Sequence, residues 1–207
     1  MIQSSDQLQQ GPHEASRRLV LLHGWGADAD DLLDLGELLA GPDVSVIALR
    51  APQPHPFGVG RQWYGLQPID WQALPAARQD LRERLQALSQ TVALEHTVLL
   101  GFSQGGAMAV DVGTQLPLAG IVACSGYPHE GWQPSGSMPA VLLSHGLEDP
   151  VVPYDASVEL QQRLQAAGAA VTLLPFPGGH TIGETVLPAL RTFIQDQLHA
   201  SAPDERA

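Results

Sequence analysis

The chain contains no lysine; all ten of its basic residues are arginines. That excludes every chemistry built on a lysine amine, including the Schiff base, the pyridoxal-phosphate anchor, the Walker A phosphate contact and the serine–lysine dyad. Cysteine is nearly as scarce. Cys124 is the only one in 207 residues, so no internal disulfide and no cysteine-based metal cluster can form. Within GIVACSG it reads as a small buried strand residue. Basic charge is outnumbered, with 22 acidic residues and a formal net charge of −12, which opposes binding to nucleic acid or to anionic membrane surfaces. No apolar run approaches the roughly 18 residues of a crossing helix, and the opening MIQSSDQLQQGPHEASRR lacks the apolar core of a signal peptide. The expectation is a cytoplasmic protein with no stable membrane insertion.

What is present suits one folded unit. Hydrophobic residues make up 44% and charged residues 15%, too apolar for disorder, and 207 residues allow one sizeable core. The expected organisation is a mobile N-terminal segment over 1–16, a single domain over 17–200 and a C-terminal tail over 201–207. Short apolar runs at Arg18–His23, Val44–Leu49, Thr97–Gly101, Leu118–Ser125, Met138–Gly146 and Ala170–Phe176 read as strands covered on both faces. Helical patterns fall between them at Asp30–Ala40, Pro75–Leu94, Ser103–Gln115, Asp155–Ala167 and Glu184–Leu198. This alternation predicts an α/β fold with a mostly parallel central sheet flanked by helices. In such a sheet the ligand crevice lies beyond the carboxyl ends of the strands. The loops RAPQPHPFGVGRQWYGLQ and GYPHEGWQPSGSMP both follow strands, which brings Trp63, Tyr64 and Trp132 near any site, although each also fits a core or surface position. Neither loop can hold a lid domain.

The stretch TVLLGFSQGGAMAV runs from an apolar strand through Gly101-Phe102-Ser103-Gln104-Gly105 into a helical segment. A GxSxG pattern in that setting is the sharp strand-to-helix turn that exposes a nucleophile, because side chains at the glycine positions would collide with the neighbouring strand and helix. A plain helix N-cap would need none of those glycines. A serine hydroxyl requires a base, and the base an orienting acid. LLSHGLEDPVVP supplies Asp149 after one strand, preferred over its neighbour Glu148, and PFPGGHTIGE supplies His180 after the next. His145, placed before the acid in the chain, reads as a supporting residue. The oxyanion donors expected for this arrangement are the backbone N–H of Gln104 and, from LVLLHGWGAD, that of Trp25. No metal-ligand spacing is present, and neither a metal nor a cofactor is expected.

Gly24-Trp25-Gly26-Ala27-Asp28-Ala29 also satisfies a GxGxxA dinucleotide fingerprint, with Arg50 placed to meet a 2′-phosphate. Against that reading, Asp28, Asp30 and Asp31 crowd the helix start where a pyrophosphate would sit.

The blocks LLHGWGAD, RAPQPHPFGVGRQWY, LLGFSQGGAMA, SHGLEDPVVP and PGGH run in order through most of the chain and resemble the phospholipase/carboxylesterase family of α/β-hydrolases, which includes acyl-protein thioesterases. The resemblance implies an α/β-hydrolase fold, Ser103 as nucleophile, Asp149 as acid, His180 as base, Trp25 and Gln104 as oxyanion donors, and Trp63 beside the pocket. It implies hydrolysis of carboxylic esters or thioesters on a small-molecule or acyl-bearing substrate. Trp25 stands where the family often has a small or aliphatic residue and would narrow the acyl groove, so short-to-medium acyl chains are expected. A long-chain acyl-protein thioesterase or lysophospholipase, and a non-catalytic ligand binder on the same fold, are the alternatives. An apolar groove could also serve a homodimer.

Overall fold

The computed structural model describes residues 6–200, and within them the apolar runs become the strands of one seven-stranded sheet. In chain order the elements are β1 (Gln7–Gln10), β2 (Arg18–Leu22), α1 (Leu33–Ala40, entered through a 3₁₀ turn at Ala29–Leu32) and β3 (Ser45–Leu49). The short pair β4 (Gln53–Pro54) and β5 (Arg61–Gln62) follows, then α2 (Leu74–Leu88), β6 (Thr97–Phe102), α3 (Gln104–Gly113) and β7 (Gly120–Cys124). The chain continues through β8 (Ala140–Gly146), α4 (Tyr154–Ala166), β9 (Val171–Phe176) and α5 (Leu187–Ala200). The strand order is β1-β3-β2-β6-β7-β8-β9, parallel everywhere except at β1.

Burial on both faces explains why the strands read as continuous apolar runs rather than alternating ones. Successive residues still point to opposite faces. Val20 and Leu22 join the core under α2, α3 and α4, where Leu81, Met108 and Leu160 also sit. Leu19 and Leu21 join the core under α1 and α5, with Leu39 and Ile194. Among the described residues no helix is long and apolar enough to cross a membrane.

Two local expectations are corrected. Gln7–Gln10, expected within a mobile segment, pairs antiparallel with β3, Leu8 lying opposite Ala48. QLQQ has little intrinsic strand preference; the unpaired backbone of β3 at the sheet edge supplies the ladder, and Gln9 Nε2 adds a 3.1 Å bond to Ser45 Oγ. The rest of that segment before residue 6 and the expected tail over 201–207 lie outside the described residues. The second helix stops at Leu88 rather than running to Leu94. There the Ser89 and Thr91 hydroxyls bond back to the carbonyls of Gln86 and Leu88, a local alternative to helix continuation.

This topology brings the carboxyl ends of β6, β8 and β9 to one edge. Ser103 follows β6, Asp149 follows β8 after the two residues Leu147 and Glu148, and His180 follows β9.

Candidate active site

Ser103 occupies a strained turn, with φ 54° and ψ −117°, between the last residue of β6 and the first of α3. Its amide donates to the Cys124 carbonyl at 2.8 Å and its carbonyl accepts from Ala107 N at 3.0 Å, which locks the turn. A Cβ on Gly101 would stand 2.1 Å from the Gly105 carbonyl oxygen, and one on Gly105 would stand 2.1 Å from that of Leu22. Both glycines are therefore required by close backbone approach.

Asp149 is delivered by a second clamped turn. Leu147 N donates to Phe176 O and Glu148 N to Gly178 O, each at 2.9 Å, tying the end of β8 to the loop after β9. Asp149 Oδ1 accepts the amides of Val151 at 2.8 Å and Val152 at 2.9 Å, while Oδ2 lies 2.7 Å from His180 Nδ1. Glu148 is exposed. His180 Nε2 is 3.0 Å from Ser103 Oγ. With Nδ1–H donated to the carboxylate, Nε2 is the acceptor for the serine proton. Burial would raise the Asp149 pKa, but the bonds from His180 and the Val152 and Val151 amides outweigh it and hold the carboxyl below its ordinary range.

His145 is fully buried, with Nδ1 2.6 Å from Ser157 Oγ and Nε2 2.8 Å from Val152 O and 3.3 Å from Asp149 Oδ2. A carbonyl at Nε2 can only accept, so Nε2 carries the proton and Nδ1 accepts from the Ser157 hydroxyl. His145 thus braces the Val152 turn whose amide holds the acid, and it makes no contact with Ser103.

The loop carrying Trp25, an expected oxyanion donor, is held by His23. Its Nε2 accepts the Ala51 amide at 3.1 Å, so the proton of the neutral ring is on Nδ1 and is donated to Gly24 O at 2.7 Å. Burial pushes the His23 pKa down, which keeps the ring neutral. Ala27 N also reaches the Gly24 carbonyl, at 3.3 Å. Because C=O and N–H point oppositely across a trans peptide, pinning Gly24 O directs the Trp25 N–H the other way. Gly26 N and Ala27 N are committed to Arg61 and Gly24 carbonyls, whereas the Trp25 and Gln104 amides meet no acceptor among the described residues.

Ser103 and His180 open onto a cavity of about 460 Å³ lined by Trp25, Leu66, Ile69, Tyr127 and Val151 among others. The Trp25 indole is held as a wall by a 2.8 Å bond from Nε1 to Gln62 Oε1 and an edge contact with His55. The other three aromatic pocket residues expected from sequence are corrected. Trp63, Tyr64 and Trp132 are 0%, 0% and 4% exposed and belong to the core rather than the groove wall. For Trp63 and Tyr64 the Gln104 side chain holds the backbone, its Oε1 accepting Trp63 N at 3.0 Å and its Nε2 donating to Tyr64 O at 2.8 Å, while the Trp63 indole donates to His23 O at 2.9 Å; Trp132 packs into the core. The indole bond to His23 O points the Trp63 ring inward.

Sequence reasoning missed Tyr127, which does line the groove, and the polar chain behind it. Tyr127 Oη lies 2.6 Å from Tyr64 Oη, Tyr64 Oη 2.9 Å from His129 Nε2, His129 Nδ1 2.5 Å from Asp111 Oδ2, and Arg78 Nε 2.6 Å from that same oxygen. Burial raises both phenols, Tyr127 to about 12, and lowers His129, so the tyrosines hold their protons and the imidazole is neutral near pH 7.

The dinucleotide alternative finds no support at its helix start. Asp28 Oδ1 accepts Ala29 N at 2.7 Å, Asp31 Oδ2 accepts Asp28 N at 2.6 Å, and Arg50 Nε pairs with Asp28 at 2.6 Å, so carboxylates fill the place of a pyrophosphate. Among the described residues no group of three or more His, Cys, Asp or Glu side chains is arranged to hold a metal ion.

The family model described as phospholipase/carboxylesterase matches residues 4–198. The esterase YpfH of Escherichia coli is 28% identical over 182 residues, 79% of this chain and 75% of that protein. Acyl-protein thioesterase 1 of Neurospora crassa is 31% identical over 115 residues, 50% of this chain and 47% of that protein, so the chain spans about half the length of this relative. The crystal structure of esterase PE8 superposes with a TM-score of 0.81 at 32% identity, covering 93% of this chain and 99% of that one.

Proposed function

The chain belongs to the phospholipase/carboxylesterase family, and on that premise we propose that it hydrolyses carboxylic esters of short-to-medium acyl chains through an acyl-serine intermediate. The observation that carries this reading is the line of hydrogen bonds from Ser103 through His180 to Asp149, at 3.0 and 2.7 Å, opening onto a largely apolar groove.

In this mechanism Ser103 Oγ attacks the ester carbonyl while His180 Nε2 takes its proton, and Asp149 holds the imidazole and stabilises its charge. The carbonyl oxygen becomes an oxyanion facing the amides of Trp25 and Gln104. Collapse breaks the bond to the leaving alcohol or thiol, which receives the proton from His180. A water then gives its proton to the same histidine, attacks the acyl-serine and releases the acid. The fixed Trp25 indole supports the chain-length preference, because it closes one side of the groove that a long acyl chain would need.

The test is release of p-nitrophenol from a C2 to C16 acyl-ester series, run beside Ser103→Ala. Turnover should peak among the shorter chains and fall by about 10⁶-fold in the variant, the scale of a lost triad nucleophile. Equal activity in both proteins sinks the assignment of Ser103, and a C16 optimum sinks the chain-length reading.

A further inference from the structure

The direction of every hydrogen bond in the chain behind Tyr127 can be deduced from its far end. Asp111 Oδ2 is paired with Arg78, so it accepts, and His129 Nδ1 at 2.5 Å must donate to it. A neutral imidazole has one proton, so His129 Nε2 is an acceptor and takes the Tyr64 hydroxyl proton across 2.9 Å. Tyr64 has then used its only proton. At 2.6 Å the Tyr127 hydroxyl can approach the Tyr64 oxygen only by donating to it. Tyr127 is left with lone pairs and no proton to offer a ligand. It lines the groove beside Ser103, where most of the surface is aliphatic, from Leu66 and Ile69 to Val152 and Ala156.

We propose that Tyr127 makes the groove selective for acyl groups carrying a hydrogen-bond donor, a hydroxyl near the carbonyl of a hydroxyacyl ester, over the same chain without one. The inference rests on the ester-hydrolase reading and deepens it by naming a substrate class. A hydroxyl entering an aliphatic groove loses water and needs a partner, and the Tyr127 oxygen is a fixed acceptor. A group that only accepts gains nothing from it. The four residues behind Tyr127 act as positioning residues, since they fix the polarity of the hydroxyl and do not touch the acyl chain.

The experiment compares kcat/KM for ethyl butanoates bearing hydroxyl or fluorine at position 2 or 3, followed by pH-stat titration with wild type and Tyr127→Phe. Fluorine is close to the hydroxyl in size and has no proton, and its stronger electron withdrawal acts alike on both proteins. Phenylalanine keeps the ring and leaves the Tyr64 proton on His129, so no buried donor is orphaned. The hydroxyl-to-fluorine ratio of wild type should exceed that of the variant by about tenfold at one of the two positions, the scale of one hydrogen bond. The ratio within each protein cancels differences in the amount of folded enzyme. The same preference in both proteins overturns the proposal. If the variant does not fold, the wild-type ratio is read against the ratio of base-catalysed hydrolysis of the same two esters, and no excess over it at either position overturns the proposal. No turnover of any of these esters by wild type overturns the hydrolase reading and this inference with it, whereas turnover without discrimination overturns the inference only.

Discussion

In the proposed mechanism His180 takes the serine proton only while its own proton stays on Nδ1, and Asp149 at 2.7 Å keeps it there. Asp149→Asn should therefore preserve the fold near pH 7 yet lower kcat by about 10⁴-fold, because an amide can favour the wrong tautomer. The same carboxyl carries a stability signature. Its folded pKa lies below the unfolded value of about 3.9, so below that pH the unfolded chain binds more protons. The contribution is complete above the unfolded value and is lost as pH falls through the folded one. Acid titration of wild type beside Asp149→Asn, followed by circular dichroism, should show a shallower loss of stability in the variant below about pH 4; parallel curves would mean that Asp149 contributes nothing there. These three residues were legible because each sits in a short signal, GxSxG, DPVVP or GGH, beside a strand end. Tyr127 was not. Asp111, His129 and Tyr64 come from separate parts of the chain with no shared spacing, and their meeting is decided by tertiary contact alone.

At the scale of elements, the Ser103 turn sets the start of α3 against the end of β2. A methyl on Gly105 would fall 2.1 Å from the Leu22 carbonyl oxygen, backbone against backbone, with no flexible side chain to yield. Gly105→Ala should thus cost at least the roughly 3 kcal/mol of severe overpacking, seen as a fall of about 6 to 12 °C in Tm for a chain of this size. An unchanged Tm would show that the turn has slack. Strand and helix order was readable because burial on both sheet faces imposes continuous apolar runs on the strands. Direction within loops was less so. Following a strand put Trp63 and Trp132 near the site but could not say which way the rings turn, and that is decided by the indole bond to His23 O for Trp63 and by the core under α2, α3 and α4 for both. β1 was unreadable for a related reason, since its pairing comes from the open edge of β3 rather than from QLQQ itself.

For the whole molecule, a net charge of −12 surrounds a groove whose lining is almost uncharged. The field should steer substrates even though no charge contacts them. For esters matched in size, kcat/KM of a cationic one should fall, and of an anionic one rise, between about 10 and 150 mM ionic strength, as the Debye length shrinks from about 30 to 8 Å. Identical salt curves for the two would remove steering from the account. The central claim, that an ester acylates Ser103, is tested most directly by the intact mass of the protein, acid-quenched during turnover of p-nitrophenyl butanoate. One butanoyl group per chain, mapped to the peptide containing Ser103 and missing from Ser103→Ala, is the predicted result. Turnover with no adduct on Ser103, or an adduct that persists in the variant, would contradict it.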